Sequence, residues 1–309
     1  MATDKQNYDV IIIGGGPAGL TAGLYCSRAR LGSLLVERLM PGGQIVNAEH
    51  VENYPGFPKG ISGMELGMLM HQQAVEYGLN TVTAEATGIE IQEGQKVVKT
   101  TEGNFITKAI IIAGGSERQK LGVPGEEDLT GRGVSYCATC DAFFFKDKPV
   151  VVVGGGDAAI TEALHLAKIV FKVTVIHRRK KLRANRILQE RAFALPNIEF
   201  LWDTVVEKIE GEDFVKSISL HQVKTGEKSI MEIAGIFVSI GFKPDTGYLK
   251  NILPMDDIGH IITDEKMETE IHGIYAAGDI RHNSARQVIT AAGDGATAAI
   301  NAEKFITEE

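Results

Sequence analysis

The sequence predicts an α/β protein of two three-layer units, each on a parallel sheet, with the second unit inserted into the first. Two observations predict this. A β-branched run followed by clustered glycines and a helix pattern occurs at the N-terminus, Tyr8–Ile13 then Gly14–Gly19, and the same grammar restarts at Pro149–Val153 with Gly154–Ala159. A chain of 309 residues is also too long for one small core. Its last segment, about 60 residues with a single helix, holds too little core to fold alone and is expected to return to the first unit. The expected division is therefore 1–117 with 246–309 as one unit, and 118–245 as the other.

Each element has a local reason. Tyr8–Ile13 ends at glycines and reads as a buried parallel strand. Pro17 suits the first turn of the next helix, where a missing N–H costs nothing, and that helix runs to about Arg30. A second strand, Ser33–Val36, ends at Glu37, and a glycine turn follows at Gly42-Gly43-Gln44. An irregular stretch from Glu52 to Pro58 leads to a helix over Met64–Tyr77 that Gly78 stops. Strand patterns then reach Ala109–Ala113. In the second unit, Pro149–Val153 precedes a helix to about Lys168 and a strand over Lys172–Ile176. A hairpin-like region spans 198–233, Ile236–Ile240 closes the unit, and a long apolar helix starts near Gln287.

Composition narrows the function. The chain is 44% hydrophobic and 23% charged, with a net charge of −8, so nothing electrostatic favours nucleic acid or an anionic membrane. The N-terminal residues Met1–Asn7 are polar and no run of 18 apolar residues exists, which makes the cytoplasm the expected compartment. Three cysteines are too few for a secreted disulfide framework, and Cys26 among Leu20, Leu24 and Leu31 reads as a buried structural thiol.

Both glycine clusters follow a β-branched strand and precede a helix, the context of a Rossmann-like dinucleotide fingerprint. Gly14, Gly16, Pro17 and Ala18 in the first copy, and Gly156 and Asp157 in the second, would bring backbone N–H groups to a pyrophosphate at a helix N-terminus. The two pockets differ in charge. Eighteen residues beyond Gly19 stands Glu37, whose carboxylate suits ribose hydroxyls and repels a 2′-phosphate. Eighteen beyond Ala159 stands His177, opening the cationic run His177-Arg178-Arg179-Lys180-Lys181-Leu182-Arg183. Guanidinium groups match phosphate oxygens in bidentate geometry, so the second pocket suits NADP(H). A solvated basic helix start is the alternative reading.

Cys137-Ala138-Thr139-Cys140 lies just before the second fingerprint. A zinc half-site would need further ligands, and no second Cys or His pair stands at finger spacing, so no metal is expected. A redox pair, in which close spacing lowers one thiol's pKa, and an accidental spacing are the other two readings. Asp141 follows directly and offers a carboxyl that could give or take a proton; an N-cap or surface acid is its alternative.

With these motifs together, the chain resembles the low-molecular-weight thioredoxin reductases across essentially its whole length. The resemblance rests on Gly14–Gly19, Gly42-Gly43-Gln44, Glu52–Gly56, Cys137–Asp141, Gly154–Asp157, His177-Arg178-Arg179 with Arg183, Gly278-Asp279 and Arg286-Gln287. It implies two Rossmann-like dinucleotide-binding domains: a discontinuous one for FAD and an inserted one for NADPH that carries the redox pair. FAD would contact Gly43, Gln44, Asn53, Gly278 and Asp279, with Arg286, Gln287 and Val288 near the flavin ring. Cys140 would face the flavin, Cys137 would attack thioredoxin, and Asp141 would move protons. A homodimer and a cytosolic thioredoxin as substrate are also implied.

Alternatives are a same-fold reductase of another small redox protein, or a redox sensor without turnover. The sequence departs from the family at Ala142, Gly114 and Phe242, where Gly, Thr and His are usual. Because the Cys pair and nicotinamide pocket share one unit and the flavin the other, pivots are expected near Leu121–Gly125 and Gly241–Pro244.

Overall fold

The N-terminal β-branched run forms strand β1 (Asn7–Ile13), and Pro17 opens helix α1 (Pro17–Arg28). The structure is a computed structural model that describes residues 7–48, 50–92, 95–249 and 251–308; the first six residues of the polar N-terminus lie outside it. Helix α1 ends before Arg30 because that residue takes a left-handed φ of 62°. Then come β2 (Ser33–Glu37), α2 (Gly63–Glu76), β3 (Asn80–Thr83), β4 (Ala86–Gln92), β5 (Gln95–Thr100) and β6 (Gly103–Ile112). Ser62 caps α2, its hydroxyl accepting from the Glu65 N–H at 3.1 Å. After the short strand β7 (Ser116–Arg118) the chain forms β8 (Val134–Ser135), α3 (Ala138–Asp141), β9 (Pro149–Gly154), α4 (Asp157–Leu166) and β10 (Lys172–His177). Next are α5 (Arg186–Phe193), β11 (Ile198–Trp202), β12 (Thr204–Gly211), β13 (Val215–Gln222), β14 (Lys228–Glu232), β15 (Gly235–Ser239) and β16 (Phe242–Pro244). Strand β17 (Ile274–Ala276) and helix α6 (Val288–Glu308) end the described chain.

Two compact units result, one of residues up to Glu117 and from Lys243 onward, the other Arg118–Phe242. In the first, parallel strands run in the order β3-β2-β1-β6-β17. The long β6 changes partner on its outer edge: Lys96–Thr100 of β5 pair antiparallel with its first half, and Ile274–Ala276 pair parallel with its last residues. Side chains alternate across this sheet. Val10, Ile12 and Ile111 bury on the face covered by Leu20, Ala22 and Cys26 of α1 and Ala298 of α6. Ile11, Ile13, Ile110 and Ile112 bury against Ile89 and Val98 of the β4–β5 meander. Each such buried isoleucine contributes roughly 1.5–3 kcal/mol.

The inserted unit has a five-stranded parallel sheet, order β11-β10-β9-β15-β8. Val150, Val152 and Val175 face Ile160, Ala163 and Leu166 of α4, while Val151, Val153 and Ile176 face Val206, Ile218 and Leu220 of the antiparallel strands β12–β14. The sequence-expected hairpin over 198–233 therefore needs correction. Residues Ile198–Trp202 pair parallel with β10, and only 204–232 form antiparallel structure, because strand periodicity reveals a strand but not its partner.

The return crossing also falls earlier than 245–246. Strand β16 pairs with β7 in a two-stranded sheet, and Asp245 is tied to its own unit by its N–H to Gly115 O at 3.3 Å and by Arg38 at 3.3 Å. Leu121–Gly125 is not at a crossing but in a hydrogen-bonded turn of the inserted unit. The N–H groups of Leu121 and Gly122 donate to the buried Glu126 carboxylate at 2.8 and 2.7 Å, and Pro124 O accepts from Ile209.

Candidate active site

The two fingerprints share one construction. Gly16 and Gly156 are the N-caps of α1 and α4, with φ, ψ of −75°, −177° and −96°, −177°, angles any residue can take. A side chain at Gly16 would meet nothing nearer than Gly43 Cα at 3.9 Å, and one at Gly156 nothing within 4 Å. The fold does not require glycine at either position. What the missing side chains leave is open space in front of free N–H groups at a helix N-terminus, which is what a pyrophosphate needs. By contrast, Gly19 is required by packing, since its Cβ would lie 1.8 Å from Gly14 O.

In the discontinuous unit, the residues that the family resemblance implies come together. Glu37 is half-buried, its Oε2 accepting from the Gly15 N–H at 2.5 Å and its Oε1 from the Leu39 N–H at 2.9 Å. The glycine turn lies against the fingerprint, Gly42 donating to Gly15 O at 2.7 Å, and Gly43 so close to Gly16 that a Cβ would stand 2.8 Å from its Cα. Gln44 Nε2 donates to Ser116 O at 3.3 Å, and Ser116 Oγ to Asp279 O at 3.1 Å. Ser284 Oγ donates to Asp279 Oδ1 at 3.1 Å; burial pushes this carboxyl above the usual aspartate range, opposed by Ser284 and Arg286. Asn53 Nδ2 donates to Gln287 Oε1 at 2.8 Å, next to Arg286, whose φ is 55°, and to Val288, which opens α6. Sequence reasoning missed Asp294. This buried acid accepts from the Gly278 N–H at 3.1 Å and takes Arg281 in a two-pronged pair at 2.7 and 2.9 Å, fixing the Gly278 turn.

In the inserted unit, the basic run is a loop pinned to the fingerprint. Gly155 O accepts from the Arg183 and Ala184 N–H groups at 2.7 and 3.1 Å. Asp157 is occupied: its two oxygens accept from the Asn185 N–H and Nδ2 at 2.7 and 3.0 Å. Asn185, the N-cap of α5, was missed despite being a typical capping residue before a helix. Arg178, Arg179 and Arg183 are exposed and have no ion-pair partner among the described residues. His177 differs from them. Its ring is buried beneath Gly155, whose Cβ would meet it at 2.4 Å, and its Nε2–H donates to Lys181 O at 3.0 Å. Burial, and then the Arg183, Arg179 and Arg178 charges, lower its proton affinity, so the ring supports the loop and the three arginines supply the cations.

Cys137 and Cys140 form a disulfide, with Cα atoms 5.4 Å apart. The short helix α3 arises because Cys137 caps it, its Sγ accepting from the Cys140 N–H at 3.2 Å. Ala138, its first residue, and Ala142, its C-cap, are fully buried, which anchors the turn in the α4 core. Cys140 is the more exposed of the two cysteines. Asp141 Oδ2 accepts from Ser135 Oγ at 2.6 Å. Upstream, Tyr136 O–H donates to Glu126 Oε1 at 2.7 Å, and burial with this carboxylate raises the phenol's pKa. Glu126→Ala should deprive three part-buried donors of their shared acceptor and cost about 1–3 kcal/mol, read as a lower urea midpoint. An unchanged midpoint would show that water satisfies them. Neither Ser135 nor Glu126 has a sequence signal, since both act across turns that no spacing reveals. Among the described residues, no cluster of three or more His, Cys, Asp or Glu side chains could hold a metal ion, and no helix is long and apolar enough to cross a membrane.

Residues 8–295 match the family described as pyridine nucleotide-disulphide oxidoreductase. The chain is 47% identical to thioredoxin reductase of Listeria monocytogenes, over 100% of this chain and 97% of that protein. It is 46% identical to thioredoxin reductase of Bacillus subtilis, over 99% and 97%. A crystal structure of Lactococcus lactis thioredoxin reductase superposes with a TM-score of 0.95 at 46% identity, covering 98% of this chain and 100% of that one. The two glycine cradles and the disulfide turn described above are thus set in a chain that belongs to the pyridine nucleotide-disulphide oxidoreductases and, within them, to the thioredoxin reductases.

Proposed function

We propose that this chain is an NADPH-dependent thioredoxin-disulfide reductase, with FAD in the discontinuous unit and NADPH in the inserted one. The observation that carries the reading is the Cys137–Cys140 disulfide on a part-exposed, hydrogen-bonded turn, in a chain whose two helix N-termini leave open space where a side chain would stand at Gly16 and Gly156. When bound, the two cofactors supply a hydride equivalent and a redox couple able to pass its electrons to a disulfide. Gly14, Gly16, Pro17 and Ala18 line the first cradle, and Glu37 offers a carboxylate to a ribose. Gly43, Gln44, Asn53, Gly278, Asp279, Arg286, Gln287 and Val288 complete that site. Gly156 and Asp157 shape the second cradle, where Arg178, Arg179 and Arg183 would hold the 2′-phosphate of NADPH and His177 supports their loop.

Once reduced, Cys137 is the nucleophile, and the Cys140 N–H already directed at its Sγ favours the thiolate. It attacks the thioredoxin disulfide to form a mixed disulfide, which Cys140 resolves, with Asp141 exchanging the proton. Phe143 and Phe144, 75% and 73% exposed and two residues beyond Asp141 and Ala142, respectively, in the same turn, offer an apolar surface suited to a protein substrate. Exposed Met64, Met68 and Leu69 on α2, with Leu39 and Met40 on the turn beside it, support a homodimer. Dependence on NADPH suits a cytoplasmic enzyme.

A coupled assay tests the reading. NADPH should bleach a yellow protein and oxidised thioredoxin should restore the colour, with NADH a poor substitute. Bleaching without recovery by thioredoxin, but with recovery by another small disulfide protein, would favour the alternative reductase. A protein that recovers with neither would be the sensor.

A further inference from the structure

Ser135, which ends β8 and is 4% exposed, has a hydroxyl shared among three groups of the disulfide turn. Its oxygen accepts from the Cys137 N–H at 3.0 Å. It stands 2.6 Å from Asp141 Oδ2 and 3.3 Å from the Cys137 carbonyl oxygen, both of them acceptors. A serine hydroxyl carries one proton and two lone pairs, so it can serve only one of these acceptors at a time. With Asp141 ionised, the proton points to Oδ2. With Asp141 protonated at Oδ2, the carboxylic O–H donates to Ser135 Oγ, and the serine proton turns to the Cys137 carbonyl. The Cys137 N–H, the serine proton and Asp141 Oδ2 keep a partner in both states, and the Cys137 carbonyl always accepts from the Asp141 N–H at 3.2 Å.

We infer that Ser135 is a positioning residue for proton transfer at the disulfide, holding Asp141 in one place in both of its protonation states. The inference rests on the reading of Asp141 as the proton donor and acceptor. Reduction of Cys137–Cys140 breaks one S–S bond and forms two S–H bonds, which takes two electrons and two protons. The bound cofactors would supply both electrons and one proton as a hydride equivalent; the second proton comes from the Asp141 carboxyl, which is left ionised. When the dithiol reduces thioredoxin, two electrons and one proton pass to thioredoxin, the other thiol proton returns to Asp141, and solvent protonates the second thioredoxin sulfur. The carboxyl is therefore protonated once and ionised once in each turnover. A partner that only donates or only accepts would suit one state and oppose the other. A hydroxyl suits both.

Three variants test this with thioredoxin turnover, rapid-mixing reduction of the flavin by NADPH, and the solvent deuterium isotope effect. Ser135→Ala should lower kcat roughly 10–100-fold, part of the 10²–10⁴ that a positioned acid or base contributes. KM for thioredoxin and the rate of flavin reduction should stay unchanged, while the isotope effect rises. Ser135→Thr, which keeps the hydroxyl, should recover to within about threefold of wild type. In an Asp141→Asn background, Ser135→Ala should add nothing further. An equal loss in that background, or a loss with no change in isotope effect, would make Ser135 a structural residue and overturn the inference. If the alanine variant does not fold, the isosteric pair Ser135→Thr and Ser135→Val carries the same comparison, and equal kcat for the two would overturn it. An Asp141→Asn enzyme as active as wild type would sink the reading of Asp141 itself. A deficient Asp141→Asn beside a normal Ser135→Ala would sink only the inference.

Discussion

Cys137→Ser and Cys140→Ser are each expected to lower thioredoxin reduction by roughly 10³-fold or more, as loss of a covalent nucleophile does, while NADPH still reduces the flavin. The substitution is close to isosteric, and the turn is held by burial of Ala138 and Ala142 rather than by the disulfide alone, so both variants should fold. They should differ in what remains. Cys140→Ser keeps the sulfur that accepts the residue 140 N–H, and should trap thioredoxin as a mixed disulfide visible on a non-reducing gel. Cys137→Ser should not. Near-normal turnover by either variant would make the pair structural.

Replacing Arg178, Arg179 and Arg183 together with neutral residues should raise KM for NADPH roughly 10²–10⁴-fold, the loss of two phosphate contacts at about 1.5–3 kcal/mol each. KM for NADH should change far less. Because the three guanidinium groups are exposed and have no ion-pair partner among the described residues, their loss should leave stability within about 0.5 kcal/mol of wild type. The result therefore separates binding from folding. Equal wild-type efficiency with both nucleotides would return the run to a solvated face.

Much of this was legible in the residues, for identifiable reasons. Val10–Ile13 and Val150–Val153 are β-branched because both faces of each strand are buried, and glycines follow where a helix N-terminus must stay open. The position of His177 could be read but not its chemistry, because the ring's burial beneath Gly155 depends on a loop that returns from Arg183 and Ala184. Strand β11 looked like half of a hairpin because periodicity carries no information about partners. Ser135, Glu126 and Asp294 were invisible, since each gains its meaning from groups that only the folded turn brings within 3.1 Å.

The change of partner along β6 has a consequence for how the chain is made. Residues 118–242 form an uninterrupted unit that emerges from the ribosome whole and can fold as it emerges. The other unit cannot. Its sheet lacks β17 and its α1 face lacks α6 until the last part of the chain is synthesised, and until then Ile110–Ile112 and Leu20 have only part of their cover. The Gly278–Asp279 turn and Arg286–Val288 arrive in that same late segment. The residues proposed for the flavin are therefore completed after those proposed for the nucleotide in the inserted unit. These late, long-range pairings give the first unit the higher contact order, so it is the slower of the two to fold.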